Sequence, residues 1–243
     1  MDNFVLVHGA WHGAWCWAAV MAELERHAHR AFAIDLPGRG MSPLPHTKIT
    51  RASWVDSVVR LIEDRDLKNL VLAGHSMGGL TISGVALKIP KRIKRVIYVT
   101  ALVPPEDGSV GDDIAAHMTP EIAAALEQID GGISSMMPPD YFRSNFIQDA
   151  SRDLQDFVLA ALVPEAMLPA GEPVPMKEFH KLGLPVSYVA CEDDLVFGDP
   201  KKWHPGQSSR LRNPTIRSIK ASHELMFTRP LECARALVDL ARD

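Results

Sequence analysis

The chain has 243 residues, 47% of them hydrophobic and 23% charged, with a formal net charge of −4. That length holds one α/β domain with a full core, and the mild negative charge gives no electrostatic case for nucleic acid or an anionic membrane as partner. Three cysteines, Cys16, Cys191 and Cys233, form an odd set without C-x-x-C spacing, which argues against a disulfide framework or a zinc site and for a reducing compartment. Met1-Asp2-Asn3 runs straight into an apolar stretch with no basic and hydrophobic leader, so no signal peptide is expected, and no apolar run is long enough to span a bilayer. The expected location is cytoplasmic.

Phe4–Val7 is a short β-branched run ending at His8-Gly9, which reads as a buried strand feeding a turn. Trp15–Arg26 has helical spacing of apolar residues. Ala31–Ile34 is a second strand, closed by the breaker cluster Asp35-Leu36-Pro37-Gly38-Arg39-Gly40. A helix follows over Ser53–Asp64, with Ser53 as its expected N-cap. Leu70–Ala73 is a third strand, Met77–Lys88 a helix and Val96–Thr100 a fourth strand. The basic run Lys88–Arg95 suits a helix C-terminus and needs no phosphate to explain it.

From Pro104 to about Lys181 the rhythm breaks. Prolines and glycines are frequent, no strand is evident, and helical pieces are expected over Pro120–Gln128 and Asp153–Val163. Met136, Met137, Tyr141, Phe142, Phe146, Phe157 and Leu162 are available to give this stretch an apolar inner surface. The alternation then resumes with strands at Val186–Ala190 and Thr215–Ile219 and an amphipathic helix over Leu231–Ala241. Alternating buried strands and helices imply an α/β fold with a mostly parallel sheet of about six strands, covered by helices on both faces. The expected organisation is one domain over 1–243, with a core of 1–103 and 182–243 and a small helical cap inserted at about 104–181.

Gly74-His75-Ser76-Met77-Gly78 lies between the third strand and its helix, in the G-x-S-x-G pattern of a nucleophile elbow. A strand that turns into a helix within two residues forces its middle residue into an uncommon backbone conformation, and glycines on either side remove the Cβ atoms that would clash. A serine hydroxyl needs a base to take its proton and a third group to orient that base. In parallel sheets such groups lie beyond the carboxyl ends of strands. After Ser76, the residues at such positions are Asp193 and Asp194, either of which fits the spacing, and His223. The order Ser, Asp, His is the one this elbow requires. An oxyanion needs two N–H donors, expected from Met77 at the helix start and Ala10 in the turn after the first strand. His8 and His12 are left to shape that turn.

Other motifs fall away. Gly38-Arg39-Gly40-Met41-Ser42 lacks the third glycine of a dinucleotide fingerprint and the Gly-Lys-Ser/Thr of a P-loop, and the histidines include no H-E-x-x-H. No metal and no cofactor are called for, and the oligomeric state is left open.

The opening Val7-His8-Gly9-Ala10-Trp11-His12-Gly13-Ala14-Trp15-Cys16-Trp17 resembles that of the plant methylesterase and hydroxynitrile lyase group of the α/β-hydrolase superfamily, and of its bacterial esterase relatives. The likeness continues through Ile34-Asp35-Leu36, Gly74–Gly79, Tyr188–Phe197 and Ala221–Phe227, and is poor over the cap. It implies that the acid is Asp194, six residues after Tyr188, with Ser76 as nucleophile, His223 as base, and Ala10 and Met77 as backbone donors. Hydroxynitrile lyases of the group carry threonine where this chain has Ala10, and lysine where it has Glu224. The resemblance therefore implies an esterase and leaves its substrate open; the triad calls for an acyl-enzyme, and the short apolar cap suggests small to medium, partly hydrophobic esters, with an aromatic part near Trp11. A lyase on the same fold, or a small-molecule binding protein with low turnover, is the alternative.

Overall fold

A computed structural model describes residues 1–118, 120, 123 and 126–243. Its centre is a six-stranded sheet in which every neighbouring pair is parallel. The strands are β1 (Asn3–Val7), β2 (Arg30–Ile34), β3 (Leu70–His75), β4 (Ile93–Val99), β8 (Val186–Cys191) and β9 (Thr215–Ile219), in the order β2-β1-β3-β4-β8-β9. The chain moves outward from β1 to β2 and then returns to place β3 on the other side of β1. The strand order thus reverses between β1 and β3, and a crevice opens beyond the carboxyl ends at such a point. Val7 pairs with Gly74, His75 with Val99, and Cys191 with Ile219, so these ends share one edge of the sheet.

The alternation of side chains along the strands builds two cores. Val5, Val7, Leu70 and Leu72 face α2 (Arg51–Asp64) and α3 (Gly78–Lys88). Phe4, Leu6, Val71 and Ala73 face the other way, toward α1 (Ala18–Arg26) and α9 (Pro230–Arg242). Both faces are dry, which is why the strands read as unbroken apolar runs. Each such side chain contributes about 1.5–3 kcal/mol through burial. The cap of α2 differs from expectation. Thr50 is the N-cap, accepting from Ser53 N–H, while Ser53 Oγ accepts in return from Thr50 N–H. Ser53 is thus the third residue of the helix and closes a capping box, because the helix starts two residues earlier than expected.

The segment between β4 and β8 is not wholly helical. It carries α4 (Val110–His117), α5 (Pro139–Asn145), α6 (Arg152–Ala161), α7 (Leu168–Gly171) and α8 (Met176–Lys181), but also a small antiparallel sheet of β5 (Glu127–Ile129), β6 (Ser134–Met136) and β7 (Glu165–Ala166). Strands of two or three residues are too short to print an alternating pattern, so the sequence hides them. Four of the nine positions of the helix expected over Pro120–Gln128 lie outside the described residues, and its last two belong to β5. Of the apolar residues expected to face inward, Phe142, Phe146 and Met137 are buried, whereas Phe157 is 61% exposed on α6.

Candidate active site

Ser76 follows β3 in a left-handed conformation, φ 49°. For a residue with a Cβ this costs about 1–3 kcal/mol, so the surroundings must hold it. They do so through the backbone: Ser76 N–H donates to Val99 O at 3.3 Å, and Ser76 O accepts from Gly79 N–H at 3.1 Å and Leu102 N–H at 3.0 Å. Close approach makes the flanking glycines necessary. A Cβ on Gly78 would stand 2.8 Å from His8 O, and one on Gly9 would stand 2.8 Å from Ser76 Cβ. The turn after β1 is therefore packed directly against the elbow.

Asp194 and His223, from the ends of β8 and β9, meet at that edge. His223 Nδ1–H donates to Asp194 Oδ2 at 2.5 Å, and both side chains are inaccessible to solvent. Asp194 Oδ2 also accepts from Thr100 Oγ1–H at 2.6 Å, and Oδ1 from Val196 N–H at 3.1 Å. Asp193, the neighbouring alternative, is exposed. With Nδ1 occupied in this way, His223 Nε2 is left buried and without a hydrogen-bond partner. The imidazole packs between Trp203 and Phe146, with ring centroids 4.8 and 5.3 Å away, and His75 Nε2–H donates to its backbone carbonyl at 3.1 Å.

The turn after β1 is set by two histidines. His8 Nε2 accepts from Leu36 N–H at 3.2 Å, so its proton lies on Nδ1, which donates to Gly9 O at 2.8 Å. His12 Nδ1–H donates to Ala10 O at 2.7 Å. Burial pushes the pKa of His8 down to about 3 and that of His12 down to about 4, so both are neutral near pH 7. His75 is likewise held neutral by burial. Among the described residues, neither the Ala10 nor the Met77 N–H donates a hydrogen bond within the protein.

Ala10, Trp11, Ser76 and Met77 share one wall of a cavity of about 90 Å³. More than half of its lining comes from the segment between β4 and β8, including Met137, Phe146 and Met167, and β8's loop adds Val196 and Phe197. The lining is almost wholly apolar, and among the described residues no lysine or arginine reaches it. Glu224 does not line it either. Its carboxyl is buried 3.4 Å from His12 Nε2, and burial together with the nearby Asp194 raises its pKa far above the usual range. Glu224 thus faces His12 rather than the cavity. His75, His223 and Glu224 form a buried cluster of potential metal ligands. His75 Nε2 and His223 Nδ1 are already engaged in the hydrogen bonds above.

The chain matches the alpha/beta hydrolase family over residues 4–236. It belongs to that family. It is 33% identical to the carbendazim hydrolyzing esterase of Nocardioides sp. (strain SG-4G), a match covering 69% of this chain and 70% of that one. To Methylesterase 2 of Arabidopsis thaliana it is 31% identical over 94% of this chain and 92% of that one. Among solved structures, an extracellular alpha/beta-hydrolase from a Paenibacillus species superposes with a TM-score of 0.90 at 30% identity, covering all of both chains. The relationship supports ester hydrolysis as the reaction class of this α/β hydrolase. No helix among the described residues is long and apolar enough to cross a membrane.

Three residues of the α/β-hydrolase site were not singled out by the sequence: Thr100, which donates to Asp194, and Trp203 and Glu165, which line the cavity. Thr100 directly follows β4, the neighbour of the strand that leads to Asp194, and strand order is what brings the two together. Trp203 sits in an irregular segment and Glu165 in the two-residue β7, with no motif to mark them.

Proposed function

We propose that the protein is a serine carboxylic-ester hydrolase that works through an acyl-enzyme. The observation that carries the reading is the buried His223–Asp194 pair, with Nε2 unpartnered, at the same sheet edge as a serine held in a left-handed elbow. Ser76 Oγ attacks the ester carbonyl as His223 Nε2 takes its proton, and Asp194 stabilises the imidazolium that forms. The tetrahedral oxyanion is received by the Ala10 and Met77 amides, which need no reorganisation because their turn and helix start are already fixed. His223 then protonates the leaving alcohol and activates water to release the acid.

Residues 104–181 act as a cap over this centre. A cavity of about 90 Å³ is smaller than the roughly 150 Å³ that holds a benzene ring. It suits the compact, apolar part of a small or medium ester. Trp11 lines the cavity and meets that apolar part. Release of nitrophenol from short p-nitrophenyl esters tests the reading. Turnover by the wild type that is lost by several orders of magnitude in Ser76→Ala supports it. Equal rates in the two proteins would overturn it, and cyanide release from mandelonitrile would then identify a lyase.

A further inference from the structure

Trp11 lies next to the proposed oxyanion donor Ala10 and is held in the left-handed region, φ 62°. Nearly everything that holds it comes from the inserted segment. Its N–H donates to Glu165 Oε2 at 3.0 Å, its carbonyl accepts from Val163 N–H at 2.9 Å, and its indole N–H donates to Ser135 O at 3.1 Å. Glu165 is 2% exposed and lines the cavity beside Ser76. Its Oε1 accepts from Ala166 N–H at 3.0 Å and pairs with the guanidinium of Arg39, itself 3% exposed. Arg39 also donates to Pro164 O at 2.8 Å. A fully desolvated ion pair contributes little net stability compared with apolar residues of the same volume, so stability alone does not account for it.

The peptide planes show what the pair does. In a trans peptide the N–H and C=O point in opposite directions. His8 Nδ1–H holds the carbonyl of the Gly9–Ala10 peptide, one anchor on the plane that carries Ala10 N–H. The next peptide, Ala10–Trp11, is held at both ends, its carbonyl by His12 Nδ1–H and its N–H by Glu165. Without the second hold, rotation of that plane relieves the strain at Trp11 and frees the backbone of Ala10.

We propose that Glu165, fixed by Arg39, is a positioning residue that clamps the oxyanion turn to the inserted segment. This rests on the esterase reading, in which Ala10 N–H stabilises the transition state. The clamp serves the chemical step, so its loss lowers kcat and leaves KM nearly unchanged.

The test compares Arg39→Met/Glu165→Leu with Arg39→Met/Glu165→Gln on p-nitrophenyl acetate. Both remove the charges, and only the second keeps an acceptor for Trp11 N–H. The Leu pair is expected to lose about 10- to 100-fold in kcat, below the 10²–10³-fold cost of deleting an oxyanion donor, with KM within about threefold of wild type. The Gln pair is expected to recover most of that loss. Inhibition by a trifluoromethyl ketone, whose hemiketal oxyanion needs the same donors, is expected to weaken in parallel with kcat/KM. Glu165→Asp keeps the ion pair but shortens the reach to Trp11, and serves if the Leu pair does not fold; it too is expected to lose kcat alone. Equal kcat in the Leu and Gln pairs, wild-type kcat in Glu165→Asp, or a loss carried by KM would each overturn the clamp while Ser76→Ala remains inactive. If Ser76→Ala instead retains wild-type turnover, the esterase reading fails and the clamp with it.

Discussion

The central sheet and the segment inserted between β4 and β8 build the same site by different means. The sheet delivers Ser76, Thr100, Asp194 and His223 from the ends of four strands whose register is fixed by parallel ladders. The segment delivers Met137, Phe146, Glu165 and Met167 from short helices and strands of two or three residues. Ladders fix backbone positions to within a hydrogen bond, whereas short elements are placed by how their side chains pack. In the proposed mechanism, chemistry that tolerates little displacement is carried by the first region, while the second largely gives the cavity its shape.

Mutations divide along that line. On the sheet side, Asp194→Asn is expected to cut kcat by about 10⁴-fold, because His223 loses the partner that sets its tautomer and supports its positive charge. Retention of even a tenth of the activity would show that the strand ends do not act as a unit. Thr100→Val, which removes one donor to Asp194, is expected to cost about tenfold in kcat, in line with the 1.5–3 kcal/mol of a hydrogen bond to a charged group.

Stability against pH sharpens the comparison, because its main titrating groups are buried at the sheet edge. His8, His12 and His75 have folded pKa values depressed by burial, so the unfolded chain binds protons that the folded one refuses below about pH 6.5. Glu224 acts in the opposite sense, since its raised pKa lets the folded chain keep a proton that the unfolded chain gives up above its ordinary 4.5. Three groups outweigh one. Stability is therefore expected to fall as pH drops from about 6.5 toward 4, by about 1.4 kcal/mol per pH unit for each net proton taken up on unfolding. Urea titrations at pH 7, 6 and 5 measure it, and a midpoint that rises on acidification would contradict these assignments.

On the inserted side, Met137→Ala enlarges the cavity. It is expected to shift the preferred acyl chain by one or two carbons, with changes of about tenfold in kcat/KM between esters. An unchanged chain-length profile would remove the segment from specificity. The smallest effect belongs to Phe157→Ser. That ring is mostly solvent-exposed on α6, and the substitution is expected to alter stability by less than about 0.5 kcal/mol.

The sequence determined the six strands, their parallel arrangement and the position of the elbow, because buried strands print continuous apolar runs and a sharp strand-to-helix turn demands glycine at set distances. It offered Asp193 and Asp194 equally, and only likeness to a family separated them. The structure separates them by burial: one side chain reaches His223 beneath Trp203 and Phe146, and the other faces water. Tertiary structure alone decided that Thr100 touches Asp194, that Glu224 leaves the cavity for His12, and that Glu165 meets Trp11 across 154 residues of chain. Local pattern reports which face of an element is buried. Which side chains meet there is fixed by strand order and by packing between segments remote in sequence, and neither leaves a periodic mark.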